Sequence, residues 1–187
     1  MSKCLPVAIY LFLYSAVSWA DALDINLNDK AARLLYNQSY GTAEISYGLL
    51  YAKERDSDSV WLAQLGLEVA GEEDFGNSLW EGRVGAMLYG ISMGNDVDGA
   101  ALGLGGQLRI FPNYSRFGFG AHGYYAPQVV TGLDIDQFWE VGIRADFRML
   151  DTARVYLGYR QIKTQLEESR RTITLDDGLH LGIDIRF

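Results

Sequence analysis

Residues 138–150 read Phe-Trp-Glu-Val-Gly-Ile-Arg-Ala-Asp-Phe-Arg-Met-Leu. Trp139, Val141, Ile143, Ala145, Phe147 and Met149 fall on one side of a period-two repeat, and Glu140, Gly142, Arg144, Asp146 and Arg148 on the other. A helix would scatter these residues around its axis, whereas a strand separates them onto two faces. One face is wholly apolar, and the other carries glycine and charges of both signs. That division suits a wall between lipid and a confined polar interior.

The pattern extends outward along the chain. In 42–52, Ile45, Tyr47, Leu49 and Tyr51 oppose Glu44, Ser46 and Gly48; in 60–70, Trp61, Leu65, Leu67 and Val69 oppose Gln64, Gly66 and Glu68. In 79–91, Trp80, Val84 and Leu88 oppose Glu81, Arg83 and Tyr89; in 99–111, Leu102, Leu104, Leu108 and Ile110 oppose Gly103, Gly105, Gln107 and Arg109. Segments 116–126, 154–165 and 178–187 behave alike, with His122, Tyr156, Arg160, His180, Asp184 and Arg186 on the polar side. Each of the eight segments has about the ten residues that a tilted membrane strand needs. Polar turn-forming stretches separate them, such as Lys53–Ser59 and Gly94–Gly99. A soluble periplasmic β-sandwich would alternate as well. The breadth of the apolar faces, the mixed polar faces and the aromatics near segment ends (Tyr51, Trp61, Trp80, Tyr125, Trp139) favour a membrane barrel with interfacial girdles.

The start of the chain supports export. Lys3 precedes the apolar run 5–17, and Ser18-Trp19-Ala20 supplies small residues at −3 and −1 of a cleavage site. Residues 1–20 therefore read as a cleaved signal peptide and 21–187 as the barrel. Ala20-Asp21-Ala22 leaves cleavage after Ala22 open. The run is too short to serve as a comfortable membrane anchor. Cys4 is the one cysteine of the chain and precedes that run, so the exported part has no thiol for catalysis or for a zinc site. The formal charge of the whole chain is −8. No basic patch recommends nucleic acid as a partner.

Both termini of such a barrel face the same side, where turns are short. Counting back from Phe187 places 72–77, 112–115 and 151–153 on that side. The longer loops 53–59, 92–98, 127–136 and 166–172 lie on the opposite side. The expected fold is thus all-β, a transmembrane antiparallel up-and-down β-barrel of eight strands, or ten if residues 22–37 form a hairpin. Segment 21–41 is left as an uncertain first strand or hairpin turning near Asn28-Asp29.

The chain ends His180-Leu181-Gly182-Ile183-Asp184-Ile185-Arg186-Phe187. This resembles the terminal signal of outer-membrane barrels, with His180, Gly182, Ile185 and Phe187 in its polar, glycine and hydrophobic places. The resemblance implies delivery to the barrel-assembly machinery. The runs 100–112 (AALGLGGQLRIFP), 118–127 (GFGAHGYYAP), 155–163 (VYLGYRQIK) and 176–187, with the start Asp24-Ile25-Asn26-Leu27-Asn28, resemble the YfaZ family of outer-membrane proteins. That resemblance spans nearly all of the exported chain. It implies a small, porin-like barrel in the outer membrane of a Gram-negative bacterium, and it brings no catalytic residues.

Glu44, Glu68, Glu81, Arg83, Arg109, Glu140, Arg144, Asp146, Arg148 and Arg160 form the expected lumen charge network. In a narrow barrel such charges must pair, because isolated buried charges are very costly. Two readings follow: a rigid salt-bridged interior, or a narrow ion path. The inward glycines either relieve crowding at tight curvature or make room for a lumen. An enzyme acting on outer-membrane lipid is the alternative. It would need His122 or His180 beside a nucleophile, and no such neighbour stands in the sequence. Asn95–Gly99 lacks the spacing of a calcium loop, and the acidic loops read as solvated. The chain is therefore expected to be no enzyme, without cofactor or metal, with membrane lipid and lipopolysaccharide as neighbours, and a monomer.

Overall fold

The computed structural model describes residues 21–53, 59–94, 97–167 and 171–187. Residues 1–20, where the signal peptide is expected, and residues 54–58, 95–96 and 168–170 lie outside the described residues. The described residues form eleven strands: β1 Asp21–Leu27, β2 Ala31–Tyr40, β3 Ala43–Lys53, β4 Ser59–Phe75, β5 Ser78–Met93, β6 Val97–Pro112, β7 Phe117–Ala126, β8 Thr131–Leu133, β9 Ile135–Leu150, β10 Ala153–Leu166 and β11 Thr172–Arg186. Ten close into one antiparallel barrel, because β1 pairs with both β2 and β11 and β5 also pairs with β6. The short β8 lies outside that ring and continues the line of β7 along β6. A single closed sheet replaces the two-sheet sandwich alternative and leaves no full-length edge exposed.

The count corrects the preferred eight strands. Segment 21–41 is a hairpin, and its turn is built by Asn28, whose side-chain oxygen accepts from Lys30 N (2.8 Å) and Ala31 N (2.5 Å). An Asx turn of this kind needs only three residues between strands. The two strands of this hairpin raise the count from eight to ten, the alternative that the sequence left open. Asp21 and Phe187 meet through paired backbone bonds, Asp21 N to Phe187 O at 3.1 Å and Phe187 N to Asp21 O at 2.9 Å. The tight turns 41–42, 76–77, 113–116 and 151–152 share that end, here called the turn end. The other end, with residues 28–30, 53, 59, 94, 97, 127–134, 167 and 171, is the loop end. Gly41 (φ +67°) and Gly76 (φ +64°) hold left-handed turn positions that a β-carbon would strain.

Wall heights differ. β4 has 17 residues and β1 has 7, so the barrel is tall at β4–β6 and low at β1–β2. The tall wall bends sharply where Gly85 of β5 faces Gly105 of β6. A β-carbon on Gly85 would land on Leu67 O and lie 2.6 Å from Glu68 Cα; one on Gly105 would strike Gly123 O and lie 2.7 Å from Tyr124 Cα. Backbone cannot move aside as a side chain can, so glycine is required there. Gly85→Val is expected to cost about 3 kcal/mol or to block folding, read as loss of the compact, heat-modifiable band on a gel.

Outside, the strands present an apolar belt that includes Leu34, Leu49, Leu67, Val84, Leu104, Ile143, Leu157 and Leu181, all well exposed. Aromatic pairs flank it. Tyr51 and Trp61 pack at 4.8 Å between ring centroids near the loop end, and Phe75–Trp80 and Phe117–Phe147 at 6.1 and 4.9 Å near the turn end.

Candidate functional site

The interior has two halves of different chemistry. The half nearer the turn end carries nearly all the charge, and its residues come from the predicted polar faces. Glu44 pairs with Arg83 at 2.6 Å. Glu81 receives a two-pronged contact from Arg154 (2.7 and 2.5 Å), with Arg186 at 3.3 Å and Arg109 at 3.8 Å. Arg109 also donates to Asp184 at 3.1 Å. Arg144 contacts Asp146, reaches Asp24 at 3.3 Å, and lies over the Tyr156 ring at 3.5 Å from its centroid. Arg148 stands over the Phe111 ring at 4.6 Å, and Arg154 over the same ring at 4.9 Å. Arg160 donates to Asp176 (2.8 and 2.6 Å) and to Asn26 (3.0 Å). Glu68 accepts from Tyr124 at 2.5 Å and from Ser46 at 3.5 Å.

The deepest layer centres on Glu140, whose side chain is wholly buried. Its carboxylate takes Arg33 Nη1 at 2.7 Å, Tyr89 OH at 3.0 Å and Gln64 Nε2 at 3.2 Å, with His122 Nε2 at 3.4 Å. Arg33 Nε completes a triangle by donating to Gln64 Oε1 at 3.0 Å. Charge-assisted bonds to several donors offset much of the desolvation of a buried carboxylate.

All ten residues of the expected network thus lie in the lumen. Four charged partners sit beside them that the sequence reading placed in no network: Asp24, Arg33, Arg154 and Asp176. Asp24 and Arg33 are in the hairpin that was left uncertain, where Asp24 and Asn26 of β1 and Arg33 and Asn37 of β2 keep strand phase and point inward. Arg154 and Asp176 are in phase with Tyr156 and His180 and lay at the margins of their segments. Continuing the alternation to each strand end would have found them.

The four terminal-signal residues divide by face. His180 points inward, edge-on to Tyr156 with centroids 5.8 Å apart. Gly182 leaves the space that Tyr156 fills: a β-carbon there would lie 2.5 Å from its hydroxyl oxygen. Ile185 and Phe187 follow the outward phase, and Phe187 is exposed. Neither histidine meets a serine. Ser46 bonds Glu68, while His122 faces Glu140. Among the described residues, no group of three or more His, Cys, Asp or Glu is placed to hold a metal ion.

The half nearer the loop end departs from expectation. There most inward positions are apolar as well, with buried Thr164 and the Asp176 partner of Arg160 beside them. Leu50, Leu62, Met87, Tyr89, Ile91, Phe138, Ile162 and Leu175 form one buried cluster that also takes in Met93, Ala101, Ala126 and Ile135. Leu50, Leu62, Phe138 and Ile162 have no exposed surface, and the Tyr89 and Phe138 rings pack at 4.2 Å. The cluster begins directly above Glu140 and extends toward the loop end. Two spaces lie below it. A cavity of about 60 Å³ lies within the charge network, and a vestibule of about 290 Å³ opens at the turn end; Arg83, Gln107 and Arg109 line both. Arg109 Nε, His180 Nδ1, Asn37 Oδ1 and Asp184 Oδ1 are buried without a protein hydrogen bond. Buried polar atoms left without protein partners are the usual positions of ordered water.

No match is found among curated proteins. One solved structure, described as "Unveiling the Mechanism Behind the in-meso Crystallization of Membrane Proteins", is similar over 90% of this chain and 83% of its own, at 10% identity and a TM-score of 0.36, and supports no argument about function. The family model described as YfaZ precursor matches residues 1–187, and with the whole chain covered the protein belongs to that family.

Proposed function

We propose that the protein is a closed outer-membrane barrel with a membrane-structural role, rather than a porin-like channel. The observation that carries this reading is the apolar plug formed by Leu50, Leu62, Phe138 and Ile162 above the Glu140 layer. An ion crossing the bore would leave the polar half and enter a segment lined mainly by hydrocarbon, whose buried Asp176 is already held by Arg160 and Asn28, at the cost of its hydration. Below the plug most of the charges are paired, and these pairs stiffen the wall.

The membrane part of the reading rests on the exposed apolar belt, its aromatic borders and the ten-strand closure with both termini at one end. A soluble protein would rarely expose so large an apolar surface. The full chain is expected to fractionate with outer membranes and to shift mobility on heating. Vesicles containing the purified barrel are expected to resist swelling in arabinose. Recovery of the processed chain in the soluble periplasm would overturn the location, and rapid swelling would overturn the closed lumen.

A further inference from the structure

Arginine and lysine differ in placement: most described arginines face the lumen, while Arg116 and Arg171 are exposed at the two ends. Arg33, Arg83, Arg109, Arg144, Arg154 and Arg160 are among those committed to the lumen. Lysine is absent from the lumen. Apart from Lys3 in the signal segment, the chain has three lysines, Lys30, Lys53 and Lys163, and all lie at the loop end of the low-walled side.

Their placement is specific. Lys53 follows Tyr51 in the outward phase of β3, Lys30 precedes Ala32 in that of β2, and Lys163 follows Tyr159 and Gln161 in that of β10. Each therefore stands just beyond the apolar belt. The strand order β3-β2-β1-β11-β10 makes them one arc. Lys53 N bonds Lys30 O at 2.9 Å, and both Lys30 and Lys163 act electrostatically on Asp177 of β11. Asp177 is engaged by Tyr159 and, at 3.1 Å, by Gln161. A recess of about 230 Å³ between the β1–β2 turn and β11 is lined by Lys30 and Lys53 and also by Asp29, Asp176 and Asp177, of which Asp176 is neutralised by Arg160. The outward positions at the opposite rim of the tall wall are acidic and aromatic instead, as at Glu73, Phe75 and Trp80.

We infer that this lysine arc seats the phosphate groups of an anionic lipid in the leaflet at the loop end. Ammonium groups on flexible stems, at the level where apolar surface gives way to polar, match phosphates carried by lipid headgroups. Asp29 and Asp177 leave the arc with one positive charge in excess, so attraction is local rather than a broad field. The low wall of β1 and β2 brings the headgroup layer down to the lysines. The inference rests on the membrane reading above and adds the class of lipid and the residues that hold it.

The test uses barrel purified from membranes in a zwitterionic detergent, followed by native mass spectrometry with lipid A, a diphosphorylated acylated disaccharide. The native barrel is expected to retain one lipid A and to release the dephosphorylated form. Lys30→Gln/Lys53→Gln/Lys163→Gln is expected to weaken retention on the order of a hundredfold, about fivefold per lysine. Arg116→Gln, at the turn end, is expected to change nothing. If the triple variant does not fold, the three single variants carry the same prediction. Equal retention of the dephosphorylated lipid, or unchanged retention by the variants, would overturn the inference. Displacement by inorganic phosphate at millimolar concentration would also overturn it, by showing a free-phosphate site. A barrel that floats with vesicles yet fails these tests would sink only the lysine arc; one that does not float would sink the membrane reading with it.

Discussion

Glu140→Leu is expected to destabilise the barrel by about 3–5 kcal/mol. The carboxylate removed is wholly buried and serves three donors at once, Arg33, Gln64 and Tyr89, with His122 Nε2 nearby at 3.4 Å. Its loss leaves the Arg33 guanidinium, only 9% exposed, buried in the bore without its ion-pair partner. Unfolding in urea, followed by the gel-mobility change of the barrel in vesicles, would give the difference. Glu140→Gln keeps acceptor and shape but not charge, and should lie between the native chain and the leucine variant. Arg33→Met/Glu140→Leu removes both charges and should recover most of the loss, since a buried pair exchanged for apolar side chains is often neutral. A single variant as stable as the native chain would mean that water reaches this layer freely.

Leu62→Ala/Phe138→Ala is expected to turn a silent barrel into a conducting one. The two side chains have no exposed surface, and Phe138 packs on Tyr89. Removing them takes out the floor of the plug, where it meets the Glu140 layer. Each truncation in a packed core costs about 3–5 kcal/mol, with coupling expected between neighbours. The closed hydrogen-bond ladder of the barrel is independent of these side chains and should hold the ring together. Discrete conductance steps should then appear, and they should change again on Arg144→Gln, whose native side chain stands beside the cavity below. A folded double variant that stays silent would place the barrier elsewhere.

How much of this was legible in sequence depends on the phase of each strand. The ten network residues named from alternation lie in the lumen because period two fixes a face once the strand is found. The strand count failed at 21–41, where a turn anchored by one asparagine replaced the longer polar stretches seen between other strands. The plug was missed for a different reason. The sequence reading sorted residues as apolar-out and polar-in, but Leu49–Leu50 and Val60-Trp61-Leu62 are apolar on both faces. Such a run in a barrel means lipid outside and a dry core inside, and only the pairing of strands across the bore shows that Leu50, Leu62, Phe138 and Ile162 converge. The partners within the charge network were equally hidden. Arg33 and Glu140 are 107 positions apart, and Arg160 and Asn26 are 134 apart.

The most direct measurement is the electrical one: native barrel, purified from membranes, inserted in a planar bilayer at high salt and held at voltages of both signs. A closed lumen predicts a flat baseline while the recovered protein still shows its heat-modifiable mobility. Steady unitary steps from the native chain, altered by Arg144→Gln or Glu140→Gln, would contradict it and make the charge network the lining of a pore.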